Sequence, residues 1–271
     1  SDALKMAAVE ALMLAPEEKA LPVVQKLLTS DSSDEVKSRA LFILGQMTQP
    51  EAHATLLDFA RNADGRLRLE AIRTIGISGD PALTSQLGDL YASGDAATRD
   101  AVLQAYLIAG DEASVLAAAQ NATTEEEFDA AVRTLGAMGA TDALRQLRDH
   151  PAATESLIQA WAVAGDTESL LEVARDGSDP ERQIAALQGL GIAGGDVAHE
   201  ALVEIYRSTD SREVRQGVMH GMMIAGETEG VLELFKAAED DQEKADLLRL
   251  LVMMDSDAAL DAINEALDTQ P

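Results

Sequence analysis

Five short stretches of the chain carry an acid at one register: "LDFAR" (Leu57 to Arg61), "GDLYA" (Gly88 to Ala92), "LEVAR" (Leu171 to Arg175), "VEIYR" (Val203 to Arg207) and "LELFK" (Leu232 to Lys236). The acids are Asp58, Asp89, Glu172, Glu204 and Glu233, and four copies add an aromatic neighbour, Phe59, Tyr91, Tyr206 or Phe235. A row of carboxylates accepts hydrogen bonds from a basic or amide-rich extended peptide. The same residues also suit a structural use, each acid pairing with a nearby Arg or Lys and each ring sealing core. Neither use is catalysis.

Other reactive patterns are missing from the sequence. The four histidines, His53, His150, His199 and His220, contain no i, i+4 pair, so a helix-borne H-E-x-x-H zinc site is excluded. Cysteine is absent, which removes disulfides, thiolate nucleophiles and Cys-type metal sites. There is no G-x-S-x-G and no P-loop. "GLGIAGG" (Gly189 to Gly195) superficially resembles a dinucleotide fingerprint, but it ends a helical pattern instead of following a strand. No catalytic residue, metal ligand or cofactor is therefore expected.

The formal charge of −27 repels nucleic acid and anionic membrane surfaces and steers the chain toward cationic partners. It argues against a nucleic-acid enzyme, which needs a basic groove for phosphates. Six lysines against fifteen arginines, with many carboxylates, also fit a salty or GC-rich source. No apolar run approaches the length of a membrane-spanning helix, so no membrane insertion is expected. The opening "SDALKMAAVE" lacks the basic and apolar regions of a signal peptide.

The elements that position these residues follow from recurring glycines: Gly79, Gly110, Gly139, Gly165, Gly194 and Gly226. Eight positions earlier stand Ala71, Val102, Ala131, Leu157, Ala186 and Val218; seven earlier, Ile72, Leu103, Val132, Ile158, Leu187 and Met219. Four earlier come Ile75, Tyr106, Leu135, Trp161, Leu190 and Met222. Apolar residues at i, i+1 and i+4 in every copy predict a helix burying one face. Six positions before the glycine, Arg73, Gln104, Arg133, Gln159, Gln188 and His220 form the solvated side.

The glycine predicts a left-handed helix end, and Asp80, Asp111, Asp166 and Asp196 are expected to cap a second helix. The segments "LTSQLGDLYA", "SVLAAAQ", "ALRQLRD", "SLLEVAR", "ALVEIYR" and "GVLELFK" supply those second helices. Each "AGD" is thus the elbow of one helical hairpin. A period of this size marks a solenoid. The fold expected is an all-α solenoid, a single domain over 1–271 with nine helical pairs. They lie near 1–31, 32–64, 65–95, 96–123, 124–151, 152–179, 180–210, 211–240 and 241–271, the last with Asp255 in place of glycine.

The stretches "AIRTIGISGD" and "ALQGLGIAGGD", with "D-P-E" before the first helix, resemble the HEAT-repeat family in its short bacterial form, also seen in bilin-lyase-like proteins. The resemblance implies that the second helices line the inner surface, so the acid ladder would face a partner there. With no catalytic pattern and a strong negative charge, the function expected is a non-catalytic scaffold for a basic or extended protein partner; the alternative that the resemblance carries is a bilin-lyase-like enzyme or chaperone for a pigment-bearing protein. The stretch "VKSRALFILGQMTQPEAHATLLDFAR" also resembles HEAT segments of bacterial envelope proteins. That likeness implies a periplasmic location, with the cytoplasm as alternative. Trp161, in the column of Leu, Ile, Met and Tyr, reads as core. Phe42 falls in the column that elsewhere holds Arg, Gln and His, which makes it either an outer-surface contact or a ring covered by N-terminal residues.

Overall fold

The structure is a computed structural model and describes residues 2–152, 155–254, 259, 260 and 263. Among the described residues every regular element is a helix. They are α1 (Asp2–Leu12), α2 (Glu17–Leu28), α3 (Asp34–Leu44), α4 (Pro50–Asn62), α5 (Gly65–Ser78), α6 (Pro81–Thr84), α7 (Gly88–Ser93), α8 (Ala96–Ala109) and α9 (Glu112–Gln120). There follow α10 (Glu125–Met138), α11 (Thr141–Arg145), α12 (Glu155–Ala164), α13 (Thr167–Arg175), α14 (Pro180–Ala193), α15 (Asp196–Ser208), α16 (Arg212–Ala225), α17 (Thr228–Ala237) and α18 (Asp241–Met253). The position of Asp255 lies outside the described residues.

Two compact units divide the chain, 1–134 and 135–271. In the first, α1, α3, α5 and α8 pack side by side in chain order, with α2 against α3 and α4 against α5. In the second, α12, α14, α16 and α18 form one layer and α13, α15 and α17 the other. Each unit is therefore a stack of helical hairpins, the solenoid class expected from the sequence.

The elbows have a common mechanism. Gly79, Gly110 and Gly226 sit at φ 64°, 71° and 70°, a region that costs a residue with a side chain and not glycine. After Gly110 and Gly226 the N–H of the next residue reaches back five residues, Asp111 to the Tyr106 carbonyl at 2.9 Å and Glu227 to the Met222 carbonyl at 3.0 Å, whereas after Gly79 the Asp80 N–H donates to the Ser78 hydroxyl at 3.3 Å. The five-residue bond closes the helix end in a Schellman motif. The following acid opens the next helix: Asp80 accepts from the Ala82 N–H at 2.8 Å, Asp111 from Ser114 at 3.1 Å and Asp166 from Ser169 at 3.3 Å. Asp196 departs from the expectation. The extra residue Gly195, at φ 84°, takes the capping position and Asp196 becomes the first helical residue.

The apolar columns are the core, save that Met219, in the column seven residues before the glycine, is only half-buried. Ile75, Tyr106, Leu135, Trp161, Leu190 and Met222 are all at most 2% exposed. Ala71, Val102, Ala131, Leu157, Ala186 and Val218, one position before the next apolar column, are likewise buried. Small residues let neighbouring first helices approach closely: a Cβ on Gly191 of α14 would run into the Gly221 carbonyl oxygen of α16.

Two second helices are shorter than the sequence suggests. "LTSQLGDLYA" is split into α6, a 3-10 turn over Ser85–Leu87, and α7. The Thr84 and Ser85 hydroxyls and the Gln86 amide donate to carbonyls one turn back, and such side-chain bonds compete with a regular helix. "ALRQLRD" stops as a helix at Arg145.

In the second unit one cap is also an ion pair between a buried acid and an arginine that stays partly exposed. Asp166 is 2% exposed and receives both Arg145 Nε (2.9 Å) and Nη2 (2.7 Å), with the Ser169 hydroxyl donating at 2.7 Å. Burial by itself raises the Asp166 carboxyl, but the bonds from Arg145 and Ser169 outweigh it and hold the group below its ordinary value. An acid lowered in the folded state stabilises above its unfolded value, and that contribution is lost as pH falls through the folded one.

Two predictions follow from this packing. Asp166→Asn should destabilise the protein by about 2–3 kcal/mol at pH 7, the cost of a weakened cap and a broken pair. In urea unfolding from pH 7 to 3, the gap between the proteins should close only below about pH 4. Gly191→Ala should lower the melting temperature. The roughly 1 kcal/mol of helix propensity gained is outweighed by about 1–3 kcal/mol of overpacking between α14 and α16.

Candidate functional site

The second helices of the second unit each bury one side and expose the other. In α13, Leu170 and Ala174 are buried while Glu172 and Arg175, three residues apart on one face, are exposed. The same holds for Glu204 and Arg207 of α15, and for Glu233 and Lys236 of α17.

These charges are joined between helices. Arg148 meets Glu172 at 2.5 Å, Arg175 meets Glu204 at 3.0 Å and Arg207 meets Glu233 at 2.7 Å. Each guanidinium thus reaches forward to the acid of the next helix, making a ladder with one rung per repeat. The three carboxylate side chains stay 57–66% exposed, so each rung is solvated and contributes at most about 1 kcal/mol to stability. Between the rungs lie open clefts. One of about 850 Å³ is bordered by Glu168, Leu171, Arg175 and Val197, and another of about 510 Å³ by His199, Val203, Arg207 and Glu233.

Asp58 and Asp89, in the first unit, are exposed but make no such ladder. Asp58 accepts from Asn62 of its own helix at 2.6 Å, and Arg61 turns to Gln86 at 3.4 Å. Asp89 lies on the six-residue α7, beyond the 3-10 turn.

The aromatic half of the predicted site needs correction. Tyr206 and Phe235 are each 3% exposed and belong to the core. Both stand two residues after their acid, about 200° around the helix, so an exposed acid places the ring inside. Arg215 lies over the Tyr206 ring at 5.5 Å, and burial, together with nearby Glu243, pushes the phenol well above its ordinary value. Phe59 and Tyr91 are half-buried. Phe42 is half-buried as well, with the Arg39 guanidinium 5.2 Å from its ring centre and Met6 and Ile77 along the same depression. Trp161 is fully buried, with Arg148 at 6.0 Å from the ring.

Two features escaped the sequence reading. His53 and His199 each face the acid that opens the following second helix, Asp80 at 3.5 Å and Glu227 at 3.1 Å. The signal was present in their matching places at the starts of second helices. A pocket of about 380 Å³ in the first unit is lined by Tyr91, Arg99, Tyr106, Ser114, Asn121 and Glu127, among others. It opens where α9 has Ala117 and Ala118 at the register that holds Glu172 and Val173 in α13. Burial pushes the Tyr106 phenol up to about 12 and also raises Tyr91, while the Thr123 N–H and hydroxyl hold Glu127 low. At neutral pH the pocket therefore offers phenolic donors and one carboxylate. Among the described residues no cluster of three His, Cys, Asp or Glu is arranged to hold a metal ion, and no helix is long and apolar enough to cross a membrane.

Comparison with curated proteins finds no match in sequence. Among solved structures, the chain is similar to the complex of CpcE and CpcF of phycocyanin lyase from a Nostoc species, at 20% identity over 85% of this chain and 93% of that one, with a TM-score of 0.36. It is also similar to human deoxyhypusine hydroxylase in complex with glycerol, at 18% identity over 99% of this chain and 92% of that one, with a TM-score of 0.31. The family model for HEAT repeats matches residues 24–106, the part of the first unit that runs from the end of α2 through α3 to α7 and into α8.

Proposed function

We propose that the protein is a non-catalytic scaffold for protein–protein interaction, and that its second unit holds a basic, extended segment of a partner along the row of Glu172, Glu204 and Glu233. The observation that carries this reading is the ladder itself: three solvated carboxylates, each met by one arginine from the preceding repeat, repeated with the helical stack. Pairing leaves each carboxylate lone pairs for further donors, since an ionised carboxyl group accepts about four. The arginine holds its direction. Successive rungs stand on neighbouring packed helices, about 8–10 Å apart. A segment in the polyproline II conformation returns a side chain to the same face every three residues, about 9 Å along the chain. The match of residues 24–106 to HEAT repeats supports an interaction role in general, and the net charge of −27 supports a cationic partner.

The test is affinity capture from the native organism's lysate with the intact chain and with Glu172→Gln/Glu204→Gln/Glu233→Gln. The variant keeps side-chain size and removes only charge. A partner held by the intact chain, released as salt is raised and absent from the variant, is the expected result. The variant's melting temperature should shift by no more than a few degrees, because the pairs are exposed. Equal capture by both proteins would overturn the ladder as the binding surface.

A further inference from the structure

The outward face of the first helices carries a second periodic feature. Two positions before the elbow glycine stand Ile77, Ile108, Ala137, Val163, Ile192 and Ile224. One turn earlier on the same face the column is Arg, Gln or His, as solvent requires. The later column is nevertheless aliphatic in every copy. It is also exposed: Ile77 40%, Ile108 52%, Val163 63%, Ile192 53% and Ile224 41%. One exposed aliphatic residue is ordinary, but the same one in successive repeats of a unit makes a row. Five of the six are β-branched, and at an exposed helical position such residues stabilise less than Ala, Leu, Gln or Arg. Helix stability does not explain the choice.

In the second unit the strip is longest. Val163, Ile192 and Ile224 lie on α12, α14 and α16, which pack in that order, and Met253, 69% exposed at the end of α18, continues it. Just past the elbows, four and five residues along the chain from Ile192 and Ile224, stand the exposed acids Asp196 and Glu229. Residues 135–271 carry 27 carboxylates against 10 lysines and arginines. A second copy of the chain, or an anionic membrane, would bring negative charge against those acids. A cationic partner would not.

We infer that this strip is a docking surface for a cationic amphipathic helix of another protein, a surface separate from the ladder; the inference rests on the scaffold reading. Spacing selects the helix over a strand. Neighbouring packed helices stand about 8–10 Å apart. Residues seven apart on one face of a helix are about 10.5 Å apart, whereas one face of a strand repeats about every 7 Å. A helix of about 20 residues, with an aliphatic residue in each heptad and Lys or Arg on both flanks, would set its anchors on Val163, Ile192, Ile224 and Met253 and its cations toward Asp196 and Glu229.

The test uses the full chain and a fluorescein-labelled synthetic helix of that design, with leucines on one face and lysines and arginines around it. The control peptide has the same composition, scrambled so that the leucines share no face. Fluorescence anisotropy at physiological salt should show the designed helix binding at least about tenfold more tightly than the scrambled one, and Val163→Ser/Ile192→Ser/Ile224→Ser should lose at least that factor. All three side chains are exposed, so circular dichroism should show the variant folded. The Glu172→Gln/Glu204→Gln/Glu233→Gln variant should bind the helix as the intact chain does. Unchanged binding by the serine variant, equal binding of the scrambled peptide, or no binding at all would each overturn the strip. Binding lost only in the glutamine variant would overturn the strip while leaving the scaffold reading in place. A dimer of the chain that the serine substitutions dissolve would show a second copy to be the occupant and would overturn it too.

Discussion

A helical hairpin with one apolar stripe leaves that stripe in water unless another hairpin is laid against it. Ile75, Tyr106, Trp161, Leu190 and Met222 are buried because their hairpins are stacked, and no single hairpin encloses its own residue of this column. Stacking in turn demands that each chain reversal be short and nearly identical. The left-handed glycine followed by a capping acid meets that demand, since it ends one helix and starts the next within two residues. Close approach adds a further restriction, visible at Gly191 and Gly221, where backbone meets backbone with no room for a Cβ.

With the inward side of every helix committed to packing, the outward side repeats with the stack. A residue type chosen once and copied becomes a row, and in the second unit there are two such rows. One is the alternation of guanidinium and carboxylate along α13, α15 and α17; the other is the aliphatic strip along the ends of α12, α14, α16 and α18. The spacing along each row is set by the packing of successive repeats. The first unit shows the converse. Where its repeats depart from the pattern, through the broken second helix before Gly88 and the small alanines of α9, there is a pocket of mixed polarity.

Much of this was legible in the sequence, because the repeats provide internal comparisons. The columns at eight and four residues before the glycine identified buried positions, Trp161 among them, and the elbow predicted the helix ends. The misses have local causes. Tyr206 and Phe235 stood beside acids in the sequence, but two residues along a helix is a turn to the opposite side. The break in "LTSQLGDLYA" arose from hydroxyl and amide side chains bonding to nearby carbonyls, which periodicity does not register. Asp196 lost its capping role to one additional glycine.

The sequence by itself determined the helical period, the elbows, the buried columns and the acidity, since these depend on residue type and on spacing within a single repeat. Only the tertiary structure decided which charge meets which. Arg175 has Glu172 three residues before it on its own helix, yet it bonds to Glu204, twenty-nine residues away, because stacking brings the next helix within reach of a long side chain. The burial of Asp166 under Arg145 and the pocket beside Tyr106 were decided in the same way. Contacts between repeats depend on how two helices are offset, and that offset is set by packing over many residues at once.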